Sequence, residues 1–233
     1  MSTSMVYDNI SHKIYYLSYF FMYFVYIRSF YTIGFKLLEN NNNKFNELTH
    51  YKKKYVVKNM VKSVNLLFLI IYSLPNIIYP VFVNNSWDNN LLYKAGLFYA
   101  SNDFAALTYI TDLPANTRNH HIITTSLSIV GINIDYKSSL LGRMVFIYAF
   151  FSSISYPVNT YLGIRHLYDK EYLKPMKKIT KNIYALSLSL NWGWHIYTAI
   201  NNFYILGISH YIYFFALFWI IKDDIILMRW LSN

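Results

Sequence analysis

Residues 61–83 read VKSVNLLFLIIYSLPNIIYPVFV, a run in which Lys62 is the one charged side chain and Leu, Ile, Val and aromatic residues fill most of the rest. A bilayer core about 30 Å thick takes roughly 20 mostly apolar residues in a helix. This run is therefore read as a membrane-crossing helix, and the reading of the whole chain turns on it. The same test applied outward along the sequence predicts six more spans, at residues 14–35, 91–111, 120–134, 140–163, 183–205 and 209–228. The expected fold class is all-α: a polytopic membrane protein with about seven transmembrane helices. The run at 120–134 is short and carries Thr124, Thr125, Ser126 and Ser128, so it belongs inside a bundle where hydroxyls find partners.

Composition agrees. Of 233 residues, 55% are hydrophobic, 20% aromatic and only 14% charged, too apolar a mix for an ordinary soluble domain. The net charge of +10 is concentrated in two blocks, one from Lys36 to Lys62 and one from Arg165 to Lys181. Cations confined between apolar runs are topology determinants and contacts for anionic headgroups, so membrane lipids are expected as partners and nucleic acid is not. Four spans separate the blocks, which places them on one side, while the intervening loops of the other side carry only Lys94 and Lys137. The lysine-rich side is the cytosolic one. The amino terminus is then lumenal, the carboxyl terminus cytosolic, and the expected location is the membrane of the endoplasmic reticulum.

The chain divides into residues 1–57, an amino-terminal span with a basic cytosolic loop, and residues 58–233, a six-helix membrane domain. The segment before the first run is nearly neutral and lacks a small-residue cleavage site, so that run is read as a retained span. Two N-x-S sequons, at Asn9 and Asn84, fall on the lumenal side, and the tract Asn40 to Asn43 reads as flexible. Cysteine is absent, which excludes disulfides, thiolate nucleophiles and thiolate metal sites.

Polar residues inside the spans carry the functional signal, because a central Asp costs ~2.5 to 3.5 kcal/mol on insertion scales unless paired. Asp103 sits mid-span beside Asn102 in YASNDFAAL; Arg118, His120 or Lys94 could pair with it structurally. At helical spacing, Ser152, Ser155, Tyr156 and Asn159 share one face, as do Asn191, His195, Thr198 and Asn202, and as do His120, Thr124 and Ser128. Such stripes are expected to converge on a common interior cavity, although any single Ser, Thr or Asn also serves plain interhelical hydrogen bonding. Arg28 is expected to lie against another helix or to snorkel, and Trp192, Trp194, Trp219 and Trp230 to anchor or pack.

The stretch TDLPANTRNHHIITT, residues 111–125, places two adjacent histidines at a span edge. Neighbours on a helix point about 100° apart, so both rings do not readily reach one metal from an ideal helix. No metal site and no resident cofactor are expected. Seven histidines with a single adjacent pair are too few for a di-iron desaturase, and neither a phosphate loop nor a G-x-S-x-G elbow occurs. What remains is a neutral imidazole acting as base or nucleophile, with its tautomer fixed by the second histidine or by Asp103. That chemistry suits acyl transfer from a thioester. A headgroup-level anchor is the alternative.

These motifs together resemble the TLC-domain family, which includes ceramide synthases, translocon-associated TRAM proteins and relatives of the neuronal ceroid lipofuscinosis protein. YASNDFAAL is similar to the family's span with an embedded Asp, RNHHIITTSLSI to its histidine-pair span, SSISYPVNTYLGIRHL to the Glu-Leu-Ser-Thr-Pro-Phe-Leu-Asn stretch of its smaller members, and FFALFWII to its closing aromatic span. The resemblance implies that spans two to seven surround a lipid-accessible cavity with span one peripheral. It also implies that His120 and His121 carry acyl transfer from acyl-CoA as co-substrate, with Asp103 in the place of the family's upstream carboxylate. The departure is in span five. There the His-Asp-x-x-Asp of ceramide synthases is replaced by Phe151, Ser152 and Ser155, and the Glu of smaller members by Ser153. The missing carboxylates favour another lipid acceptor, or a noncatalytic lipid-binding, transport, membrane-regulating or translocon and sorting role. For the catalytic reading the expected substrate-binding residues are Arg118, Asn102, Thr124, Ser152, Ser155, Asn159, Asn191 and His195, with Arg118 and the lysine blocks attracting the CoA phosphates.

Overall fold

A computed structural model describes residues 3–233, with side chains from Ile10 onward; Met1, Ser2 and the Asn9 side chain of the first sequon lie outside the described residues. Among the described residues 86% are helical and none is in a strand. Helix α1 (Thr3–Asn41) carries the first apolar run. A one-turn helix, α2 (Asn43–Asn46), follows, with the Asn42 side chain accepting from Phe45 N. Helix α3 (His50–Ser73) starts where Thr49 accepts from Lys52 N. It passes through a π-helical turn, Leu74–Ile78, which contains Pro75, into α4 (Tyr79–Asn84), and stops at Asn85 in the left-handed conformation, a region Asn tolerates better than most residues.

Helix α5 (Asn89–Tyr109) is capped by Asp88, whose carboxylate accepts from Asn90 N and Leu91 N. Helix α6 (Ala115–Gly131) begins after Pro114. The run at 140–163 becomes two helices, α7 (Leu140–Ile154) and α8 (Tyr156–Ile164), broken at Ser155 because Pro157 lacks the amide that would continue the ladder. Helix α9 (Lys170–Asn201) and helix α10 (Ile208–Ser232) complete the chain.

Each apolar run is helical over most of its length; the run at 91–111 outlasts α5 by two residues and the run at 120–134 outlasts α6 by three. Two continuous stretches, His50–Asn84 and Leu140–Ile164, are by themselves long and apolar enough to cross a membrane. The others are diluted by Tyr, Asn, His and Lys, and α6 at 17 residues is short of a full crossing.

The helices close into a ring. Helix α3 packs on α5, α5 on α6, α6 on α10, α10 on α9, α9 on α7 and α8, and α8 back on α3; α1 lies outside against α5 and α3. Apolar clusters such as Leu97, Met144, Leu217 and Ile220 pack between the helices, but polar side chains share the interior and large apolar ones lie outside. Lys58, Asn59, Lys62, Ser63, Asn65, Asn102 and Asp103 are interior, whereas Val25, Phe68, Ile71, Phe82, Ile200 and Phe215 are exposed.

The tightest seam joins α3 to α8. Ser63 Oγ donates to Tyr156 O at 3.1 Å and meets Thr160 Oγ1. Gly163 then lets the backbones close: a Cβ there would stand 2.6 Å from Met60 Cγ and 3.1 Å from Met60 N. Small residues at such crossings allow this approach. Gly163→Val is expected to lower stability by about 1–3 kcal/mol through overpacking, read as a lower melting temperature in detergent; an unchanged melt would contradict the close approach.

Candidate functional site

A cavity of about 580 Å³ lies inside the ring and takes lining residues from every one of its helices. Its mouth is framed by Thr49 and Lys52 at the start of α3, Pro114 and Asn116 before and at the start of α6, Arg165 and His166 after α8, and Trp230 near the end of α10. Leu66, Tyr99, Ser187 and Asn191 line it farther along their helices.

Behind one wall is Asp103, fully buried on α5. Its Oδ1 lies 2.5 Å from Lys62 Nζ of α3, and its Oδ2 accepts from Thr124 Oγ1 of α6 at 2.5 Å. His121 Nδ1 stands 2.9 Å from the same Oδ1, within ion-pair range but out of line for a hydrogen bond. One carboxylate thus ties three helices. Asn102, next to it, accepts from Asn65 Nδ2 at 2.7 Å and donates to Phe98 O at 2.9 Å.

The second histidine has a carboxylate of its own. His120 Nδ1 lies 3.3 Å from Asp223 Oδ2 of α10, again off the hydrogen-bond line, while Thr117 Oγ1 donates to Asp223 Oδ1 at 3.3 Å. The two imidazole rings are 5.7 Å apart at 76°. They serve different surroundings. His121 is locked against Asp103 and Lys62, whereas His120 and Asp223 both face the cavity. Beside Asp223, Asp224 accepts from Tyr184 OH at 2.7 Å, so the wall formed by α9 and α10 carries two carboxylates.

One ligand atom from each of Asp103, His120 and His121 falls within 4.8 Å of the others, closer than the divergence of neighbouring helix positions led us to expect. The rings reach beyond their Cβ atoms, and rotation about the side-chain bonds brings their nitrogen edges together over the α5 carboxylate. Ligand bonds of about 2.0–2.2 Å to a divalent ion would require it to displace the Lys62 ammonium already held by Asp103.

Of the residues singled out in the sequence, His120, His121, Ser152, Ser155, Asn159 and Asn191 line the cavity. Asp103, Asn102 and Thr124 are buried behind its wall in the networks above. Arg118 is exposed on α6 and is not among the lining residues. His195 is buried away from the cavity, with Nδ1 2.8 Å from Asn191 O and Nε2 3.0 Å from Tyr213 OH. Arg28 packs over the Tyr109 ring at 5.0 Å.

The lining also includes Lys58, Lys62, Tyr184, Asp223 and Asp224, which were not singled out as site residues. Both lysines belong to the first of the two charge blocks in the sequence. Lys58 is only 4% exposed and Lys62 7%. Their spacing of four on an apolar helix puts both on one face, and that was the available signal. Cations at the mouth are Lys52 and Arg165, the latter stacked over Trp230 at 4.6 Å. Burial, followed by the charges of Arg165 and Lys52, pushes His166 below the ordinary histidine value, so it is neutral at pH 7.

No protein-family model, no curated protein and no solved structure matches the chain.

Proposed function

We propose that the chain is a seven-span membrane protein, similar in organisation to the TLC-domain family, that transfers an acyl group from acyl-CoA to a lipid acceptor within the ring of helices. The membrane part is supported by the many aliphatic and aromatic side chains exposed outside the ring, together with the lysines, asparagines and aspartate buried within it, an arrangement that suits apolar surroundings. In this reading α1, α3 continued by α4, α5, α6, α7 continued by α8, α9 and α10 are the spans. Tags at Asn42 and the carboxyl terminus are expected to be protease-accessible in sealed microsomes, and one in the loop at Lys137 protected; cleavage at Lys137 without detergent would overturn the topology.

The observation that carries the catalytic part is the His120–Asp223 pair facing a cavity whose mouth is cationic. CoA phosphates would stay at that mouth near Lys52 and Arg165, with the thioester beside His120. His120 would take the proton of an acceptor hydroxyl or amine through Nε2 as that atom attacks the thioester carbonyl. The C–S bond then breaks, and the imidazolium returns the proton to the departing thiolate. Asp223 orients Nδ1 and stabilises the imidazolium meanwhile.

Purified protein in micelles, given radiolabelled palmitoyl-CoA and a membrane lipid extract, should release free CoA and form a labelled lipid. Retention of lipid without consumption of acyl-CoA would support the noncatalytic lipid-binding reading instead. For that reading one observation speaks directly: Asp103 is already paired with Lys62 and accepts from Thr124, so its charge is compensated without a substrate.

A further inference from the structure

A second, smaller hollow of about 60 Å³ lies farther along the ring, bounded by α3 and its π-helical turn, α5, α6 and α7. Its walls include Leu69, Ile77, Leu92, Val145 and Phe146, with a few hydroxyls among them. The main cavity and this hollow share one lining residue, Tyr99. Tyr99 is 4% exposed and packs with Leu66, Leu69 and Phe98.

Position on α5 connects the hollow to the chemistry. Leu92, Gly96, Tyr99 and Asp103 recur at three- and four-residue spacing, so they follow one another along one helix face. Gly96 sits one turn beyond Tyr99, has no positive φ, and a Cβ built on it meets nothing within 4 Å. No backbone conformation or close helix approach therefore requires glycine there, although a mid-helix glycine is worth about 0.5–1 kcal/mol less than alanine. The missing side chain leaves space facing an apolar hollow. Part of the wall, Ile77 and Ile78, belongs to the π-helical turn that follows α3, an irregularity that often marks a functional position.

We propose that Tyr99 is a gate that sets the length of acyl chain the protein accepts, and that the hollow beyond it, kept open by Gly96, receives the methyl end of the longest chains. This rests on the acyl-CoA reading above and deepens it. A chain whose thioester lies by His120 runs past the buried Asp103 to Tyr99, whose ring turns back any carbon beyond that point. The occupant is a single extended hydrocarbon tail, because the hollow is small, mostly apolar and divided from the cavity by Tyr99 alone among the residues that line both. In an apolar pocket one methylene discriminates by about tenfold or more, so a single ring in this position is enough to order a series of chains.

Two substitutions should act in opposite directions. Tyr99→Ala joins the two spaces and should raise the binding of arachidoyl-CoA relative to palmitoyl-CoA by about tenfold. Gly96→Leu fills the hollow and should shift preference toward lauroyl-CoA by a similar factor. Tyr99→Phe keeps the ring and should leave the order of chains as in the parent protein, which separates the gate from the hydroxyl. Competition binding in nanodiscs measures all four proteins, and mass spectrometry of the lipids that copurify with each gives a readout that does not depend on acyl-CoA. The same order of chains in parent, Tyr99→Ala and Gly96→Leu, by both readouts, overturns the gate. If acyl-CoA fails to bind the parent while the copurified lipids change length as stated, the acyl-CoA reading fails and the gate stands. If no form binds acyl-CoA or retains any lipid, both are overturned.

Discussion

His120→Ala is expected to lower acyl transfer by about 10² to 10⁴, the usual contribution of a general base, with little change in melting temperature. His120 faces the cavity and ties no helices through a short contact; its Asp223 neighbour is 3.3 Å away and off the hydrogen-bond line. Asp223→Asn should lose at least about tenfold, since the imidazolium formed during transfer loses its counter-charge. His121→Ala should behave differently. His121 contacts Asp103 at 2.9 Å in the buried network, so its removal should lower stability as well as rate. Phe215→Leu, on the outer face of α10 at 68% exposure, should do neither. Equal transfer by the parent and His120→Ala would remove His120 from the chemistry. A loss confined to His121→Ala would assign the base to the other ring.

Replacing either member of the Lys62–Asp103 pair alone should be the most damaging change to the fold. Removing one partner of a buried ion pair leaves the other uncompensated and costs about 3–5 kcal/mol, whereas apolar replacement of both is often close to neutral. Lys62→Met and Asp103→Leu should therefore each lower the unfolding midpoint in detergent sharply, and the double variant should recover most of the loss. Thr124 would keep an intrahelical acceptor in His120 O at 3.1 Å, so its hydroxyl is not stranded. Two single effects that simply add in the double variant would show that the pair is not coupled.

Much of the helical plan was legible because a long apolar run is a local property of sequence. The seven runs are mostly helical, and of the polar stripe Ser152, Ser155, Tyr156 and Asn159 all but Tyr156 line the cavity. What local reading missed is long-range. Asp103 meets Lys62, 41 positions away, and none of the partners proposed for it, Arg118, His120 and Lys94, neutralises it in the same way. Lys94 instead sits over the rings of Tyr15 and Tyr19 at 5.6 and 4.6 Å, nine positions before Asp103 on α5 and well along the helix from it. Lys58 and Lys62 looked like loop charges because charge next to an apolar run ordinarily marks a boundary; only closure of the ring turns them inward. Asp223 and Asp224, in KDD inside the run at 209–228, were not singled out, and their partners Thr117, His120 and Tyr184 lie on other helices. His195 shared the stripe of Asn191, but it is consumed by Tyr213. Helix α9 begins at Lys170, well before the apolar run at 183, because helical geometry continues into water where hydropathy does not.

The Lys62–Asp103 contact also bears on how the chain gets into a bilayer. Helix α3 arrives with two inward lysines and α5 with an aspartate, and each such charge costs about 2.5–3.5 kcal/mol at the centre of an isolated helix. On the proposed membrane topology helix α3 is synthesised first and must wait for α5, separated from it by only the π-helical turn, α4 and a short loop. The two are therefore best released into lipid together as a hairpin, with the ion pair formed before either helix is surrounded by hydrocarbon. Mutations that break the pair would then act at birth, as failed integration and early degradation, in cells where the finished protein is never given the chance to unfold.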